Sequence, residues 1–137
     1  MWKWTDGNYK QINFGVQEPN MVNVGAGLAS QGKRVIIYGV AGFVLYKSFE
    51  QIKFSVKGWG ELGGSIIFVN AGYNGCYSVC GRGHLVKDDF KLLDAANVPI
   101  FDPPDRSTFV KRIVEGLKQP GVRFIRLGWD NAPWKSQ

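Results

Sequence analysis

The chain is expected to fold as an α/β domain with an open, mainly parallel sheet of about five strands and helices on both faces. Three observations carry this expectation. Short apolar runs rich in β-branched residues recur along the chain, each bounded by Gly, Pro or Asn. Longer stretches of helical character separate them. The regular alternation of the two kinds of segment favours parallel strands joined by helical crossovers, with both sheet faces covered.

The first strand is expected at residues 12–14, ending at Gly15. A helix follows over residues 19–31. Pro19 suits its first turn, where a missing N–H would have had no intrahelical partner, and Gly32 can close it in a left-handed conformation. The second strand is placed at residues 35–38 and the second helix at about 44–56. The third strand spans residues 65–70, and a glycine-rich loop follows. A helix at 87–96 and a strand at 98–101 come next. Pro103 and Pro104 stop that strand, because their fixed φ and missing donors cannot continue it. Asp105 or Ser107 then caps a helix at 105–118. Pro120-Gly121 turns the chain into a last strand at 122–127. No repeat, low-complexity tract or linker interrupts the pattern, so residues 1–137 read as one domain, with 1–10 as an N-terminal extension and 129–137 as a C-terminal tail.

Length and composition agree with this. At 137 residues the chain fits one compact core. Its 45% hydrophobic and 14% aromatic content, with dispersed charge, exclude a disordered chain. No apolar run approaches the ~20 residues of a bilayer span, so no membrane is expected as a partner. The opening residues lack a secretory apolar stretch, which makes a cytoplasmic setting the default. The formal charge of +6 invites a nucleic-acid reading. The basic residues are nevertheless spread out, with no block longer than Lys33-Arg34 or Lys111-Arg112, so no nucleic acid is expected. A solvated face that prefers anionic ligands fits better.

Cys76 and Cys80 offer half of a four-ligand zinc site, and His84 would add a third ligand. Two reduced thiols in a metal-free loop is the preferred reading, and a disulfide is disfavoured in a reducing compartment. Gly25 and Gly27 superficially suggest a dinucleotide fingerprint. Position 30 is Ser, however, no strand immediately precedes the glycines, and they lie within an expected helix. Close helix packing is the preferred explanation.

In an open α/β sheet, ligands gather beyond the carboxyl ends of the strands. Glu18 follows the first expected strand and opens a helix, where it is either a working carboxylate or a group merely favoured by the positive helix end. Phe43, Tyr46 and Phe49 recur every three residues and line one helical edge. They are either a binding wall or core residues, the latter reading being most credible for Phe49. His84, the single histidine of the chain, lies in the glycine-rich loop at the same edge. As an isolated residue it reads as a surface group, yet imidazole suits proton handling near neutral pH.

Taken together, these segments resemble the pyrimidine-binding domain of the transketolase family of thiamine-diphosphate enzymes. Gly15-Val16-Gln17-Glu18-Pro19-Asn20-Met21 is similar to the family's Gly-(Ile/Val)-x-Glu-(Gln/His)-(Asn/Ala)-Met. Phe43, Tyr46 and Phe49 match its Phe-x-x-(Phe/Tyr)-x-x-(Tyr/Phe). Gly81-Arg82-Gly83-His84, running on to Asp88-Asp89, resembles Gly-x-Thr-His-x-x-x-Glu-Asp. Val98-Pro99-Ile100-Phe101-Asp102 and Gly121-Val122-Arg123-Phe124-Ile125-Arg126 complete a resemblance that covers about residues 11–128.

The resemblance implies that Glu18 hydrogen-bonds N1′ of the cofactor's aminopyrimidine and activates thiamine diphosphate for C–C bond cleavage and ketol transfer. It also implies that Phe43, Tyr46 and Phe49 surround the pyrimidine ring. His84 then has a catalytic and substrate-contacting role, with Arg82 as a further contact to a sugar phosphate or 2-oxo acid. The sequence departs from the family in four respects. Arg82-Gly83 replaces Pro-Thr, and the loop from Gly72 is about two residues longer. The family's first strand and helix have no counterpart, so the domain reads as N-terminally shortened. No Gly-Asp-Gly occurs either, so the diphosphate-binding domain and the C-terminal domain are expected to be absent. Mg²⁺ and the diphosphate would then be held by a partner subunit, and a homo-oligomer is possible. Such a chain is one half of a split enzyme. The alternatives are a non-catalytic truncated relative acting as a binding or regulatory subunit, and a small α/β protein for another anionic ligand.

Overall fold

The computed structural model describes residues 9–60, 63–73 and 76–128. Most of the expected N-terminal extension, including the segment on which export was judged, and the tail at 129–137 lie outside the described residues. The chain forms α1 (Glu18–Ser30), β1 (Arg34–Val40) and α2 (Ala41–Glu50), which runs on as a π-helical segment (Gln51–Gly60). Then come β2 (Ser65–Tyr73), two 3₁₀ turns (Ser78–Cys80 and Arg82–His84), α3 (Asp89–Ala95), β3 (Ile100–Phe101), α4 (Arg106–Leu117) and β4 (Gly121–Gly128).

The four strands pair in parallel in the order β1-β2-β4-β3. All nine residues of the central β2 are buried, the signature of a parallel strand covered on both faces. On one face Ile66, Phe68, Val122 and Phe124 pack against Val22, Ala26 and Ala29 of α1 and against Leu45, Ile52 and Val56. The Phe68 and Phe124 rings stack at 6.0 Å. On the other face Ile67, Val69, Ile125 and Leu127 meet Phe109, Ile113 and Leu117, which recur every fourth residue along one side of α4. The α/β class with helices on both faces is therefore as expected.

One strand is not. Residues 12–14 pair with no strand among the described residues, and Ile12 is 48% exposed. The local polar groups form a turn instead: the Gly15 N–H donates to Asn13 Oδ1 at 2.8 Å, and the Gln17 N–H donates to the Phe14 carbonyl at 3.3 Å. An Asx-type turn competes directly with extended pairing, and Gly15 accommodates it at φ +61°.

Several expected boundary residues act as anticipated. Pro19 lies in the first turn of α1. Gly32, at φ +76°, donates to the Ala29 carbonyl and closes that helix. Of the two candidate caps for α4 it is Asp105 that serves, accepting from the Thr108 N–H at 2.8 Å and from the Ser107 hydroxyl at 3.0 Å. These bonds, with the Thr108 N–H first, hold the Asp105 carboxyl below its ordinary range. Gly25 packs against β1, where a Cβ would come within 2.8 Å of Ile37 Cδ1, whereas Gly27 has no close neighbour and no packing explanation.

Topology positions the candidate site. The turn after α1 enters β1 at the amino edge of the sheet, so Glu18, at the other end of the helix, lies near the carboxyl edge. Helix α2 starts directly from the end of β1, and the loop carrying His84 leaves β2 at that same edge. Among the described residues no helix is long and apolar enough to cross a membrane.

Candidate functional site

Glu18 is the first residue of α1, at the positive end of the helix. Its side chain is 11% exposed and accepts a hydrogen bond from Lys47 Nζ at 3.2 Å. Lys47 stands one helical turn beyond Phe43 on α2, and its ammonium also lies over the Phe43 ring, 4.9 Å from the centroid. One cation thus bridges a nearly buried carboxylate and an aromatic face.

The line continues on the other side of Phe43. Its ring meets that of His84 edge to face at 4.8 Å, and the Tyr77 ring lies 6.3 Å from His84. The 3₁₀ turn Arg82–His84 presents the imidazole. His84 Nδ1 is buried without a hydrogen-bond partner among the described residues. Tyr38, at the end of β1, lies beside Tyr77; its partial burial, and then that neighbour, push its phenol up to about 12.

Backbone contact sets the position of this loop. The Gly83 carbonyl lies where a Cβ on Gly42 would be, at 2.7 Å. Gly72 takes φ +126° at a bulge in β2, where Ala71 pairs with Leu127 and Tyr73 with Gly128. The His84 carbonyl comes within 3.1 Å of the place a Gly72 side chain would take. Asn70, fully buried at the end of β2, donates from Nδ2 to the Gly39 carbonyl at 3.2 Å, while its Oδ1 has no partner among the described residues.

The structure therefore brings Glu18, Phe43 and His84 into one row through Lys47. Tyr46 is half-exposed on α2 and Arg82 is exposed on the loop. Phe49 packs against the main core, with Lys53 Nζ 5.9 Å from its ring centroid. Lys47 and Asn70 were not anticipated. Lys47 had a weak signal, its position four residues after Phe43 on an expected helix, but nothing local to it points to Glu18.

A second polar cluster braces the same edge. Asp89, fully buried at the start of α3, accepts twice from Arg126 at 2.8 Å, and Arg126 Nη1 donates to Asp102 at 2.7 Å. The guanidinium lies 4.7 Å from the Tyr73 centroid and 4.0 Å from that of Phe90. Burial, and then the Asp89 carboxylate, push the Tyr73 phenol far above its ordinary value. Cys76 is a buried free thiol, raised by that burial, and Cys80 is free and exposed. Among the described residues no group of three or more His, Cys, Asp or Glu could hold a metal ion.

No family model matches the sequence. An uncharacterized 33.6 kDa protein in the fasciation locus of Rhodococcoides fascians is 27% identical over 117 residues, covering 85% of this chain and 36% of that protein. Among solved structures, a split-gene transketolase in the form of an inactive β4 tetramer matches with a TM-score of 0.71 at 24% identity. That match covers 92% of this chain and 39% of the other. The present chain thus spans little more than a third of the length of either protein. The structural likeness shows the fold, which is the transketolase-type α/β arrangement that the sequence resemblance implies.

Proposed function

We propose that the chain is the pyrimidine-binding subunit of a split, thiamine-diphosphate-dependent, transketolase-like enzyme, in which Glu18 activates the cofactor for C–C bond cleavage and ketol transfer. One observation carries the reading. A nearly buried carboxylate and the face of Phe43 converge on a single group at the carboxyl edge of a sheet with the transketolase-type fold. A flat aminopyrimidine needs that pair: an aromatic surface to lie on and a carboxyl at its ring nitrogen. His84, with a buried Nδ1 lacking a partner among the described residues, adds a polar atom beside the same ring.

The fit extends to the ring alone. The described residues offer no donor cluster for a hard cation, and the sequence has no Gly-Asp-Gly. Mg²⁺ and the diphosphate are assigned to a partner subunit. When bound, thiamine diphosphate supplies the electron sink for breaking a C–C bond next to a carbonyl. Glu18 holds a proton at the N1′ nitrogen. Phe43 supports the ring, with Tyr46 and Phe49 assigned to the same aromatic wall. His84 handles a proton on the substrate side, and Arg82 attracts the anionic end of a sugar phosphate or 2-oxo acid. The working protein is cytoplasmic and oligomeric in this reading, and the β4 assembly of the structural neighbour supports the second point.

A second reading, a non-catalytic binding or regulatory subunit, draws support from the engagement of Glu18 by Lys47. The test is recovery of the chain with its partners from the native source, followed by an assay of thiamine-diphosphate-dependent ketol transfer. A partner carrying Gly-Asp-Gly is expected, and Glu18→Gln should lower the rate by about 100-fold or more, the scale of a positioned acid–base group. A silent Glu18→Gln variant would favour the second reading.

A further inference from the structure

Two groups that the preceding reading assigns to the aminopyrimidine, the Glu18 carboxylate and the Phe43 face, are both engaged by the Lys47 ammonium, at 3.2 Å and 4.9 Å. We propose that Lys47 is a built-in occupant of the ring site, a latch that must leave before the ring can enter. The inference rests on the pyrimidine-site reading and adds a regulatory residue to it.

Three physical points support it. First, an ammonium over an aromatic face and against a carboxylate satisfies both groups at once, and a ring arriving at those groups competes for the same contacts. Second, the partners differ in freedom. The Glu18 side chain is 11% exposed and fixed at a helix start, whereas the Lys47 side chain is 48% exposed. Its flexible stem can swing into solvent without unpacking the core. Third, the displaced ammonium recovers its hydration, so the latch is weak by construction. With the ammonium end half-exposed to water, the ion pair and the cation–π contact are each small, and together they correspond to about a tenfold penalty on ring affinity. The pair also satisfies Glu18 when no ring is bound, since a carboxylate only 11% exposed would otherwise lack a charged partner on α2.

The same geometry sets what the latch discriminates. A ligand that offers only a flat apolar surface meets Phe43 but leaves Glu18 unpaired after Lys47 departs. A ligand that offers only a cation replaces like with like. A ring with a nitrogen for Glu18 and a π face for Phe43 replaces both contacts together.

The experiment is a calorimetric titration of the full chain with 4-amino-2,5-dimethylpyrimidine, the ring without thiazolium, diphosphate or any added cation, in wild type, Lys47→Met, Lys47→Arg, Glu18→Gln and the Glu18→Gln/Lys47→Met double variant. Lys47→Met should bind about tenfold more tightly than wild type, Lys47→Arg should stay near wild type, and both Glu18→Gln proteins should lose the ring. A second readout is acylation of the Lys47 amine, which should become faster, not slower, when the ring is bound. Ring binding that depends on Glu18 but is equal or weaker in Lys47→Met would overturn the latch while leaving the site reading intact. Binding that is insensitive to Glu18, or absent from every protein, would overturn both.

Discussion

Arg126 illustrates how much one side chain can hold. Its guanidinium makes paired bonds to a fully buried carboxylate, reaches Asp102, and lies against the rings of Tyr73 and Phe90. The two carboxylates are not equivalent. The Asp102 side chain is 49% exposed, and water competes for it, so Asp102→Ala should cost no more than about 1 kcal/mol. Asp89 has no such recourse. Arg126→Met should leave its charge buried and uncompensated, at a cost of about 3–5 kcal/mol in urea denaturation. Replacing both partners, as Asp89→Leu with Arg126→Met, should recover most of that loss, because an apolar pair of similar volume needs no compensation. Full loss in the double variant would mean that the pair does more than satisfy itself. The partnership was not legible in the sequence, for Asp89 and Arg126 stand 37 positions apart. Glu18 stands out in the sequence because its neighbours form a motif. Lys47, 29 positions away from it, does not.

At the scale of elements, what could be read depended on whether an element's hydrogen bonds close locally. The four helical stretches were legible from periodicity and caps. Their internal geometry was not: the stretch expected at 44–56 divides into α2 and a π-helical segment, with a break at Ser48 (φ −115°, ψ 17°). An apolar period read over so few residues cannot separate the two pitches. Strand ends failed where local groups took the bonds. In the stretch expected at 98–101, the Val98 N–H donates to the Leu93 carbonyl to end α3 and Pro99 has no N–H, so only Ile100 and Phe101 pair with β4 as strand residues, with the Pro99 carbonyl accepting from the Phe124 N–H at 2.9 Å. The His84 loop shows the converse, in which backbone packing does what sequence periodicity cannot report. With the Gly83 carbonyl 2.7 Å from where a Gly42 Cβ would sit, Gly42→Ala must push the loop off α2. Destabilisation of about 1–3 kcal/mol is expected from this overpacking. The more specific consequence is loss of the ring-current shift that Phe43 imposes on the His84 imidazole protons. Unchanged imidazole shifts in a folded Gly42→Ala protein would show that the loop is held from elsewhere.

For the whole molecule, the sheet order leaves β1 at one margin with a single strand partner among the described residues. Within β1 the side chains alternate: Ile37 is buried against α1, while Ile36 and Tyr38 on the opposite face are 50% and 54% exposed. Helix α4 covers that face over β2 and β4 but not over β1. A seven-residue parallel strand that pairs on one side only among the described residues, with exposed apolar residues on one face, is a template for association. The proposed split site calls for association on separate grounds, since that reading assigns the diphosphate to another subunit. Two arguments of different origin thus converge on the same expectation, that a lone monomer is not the working state. Sedimentation equilibrium of the purified chain should give a mass well above 15.3 kDa. Ile36→Lys, which places charge on the bare face without touching the buried side of β1 or the Tyr77 ring, should shift the distribution toward monomer. A wild-type chain that stays monomeric at high concentration and acquires no partner from its source would remove both arguments. Association that survives Ile36→Lys would move the contact away from β1 and leave the split site as its remaining reason.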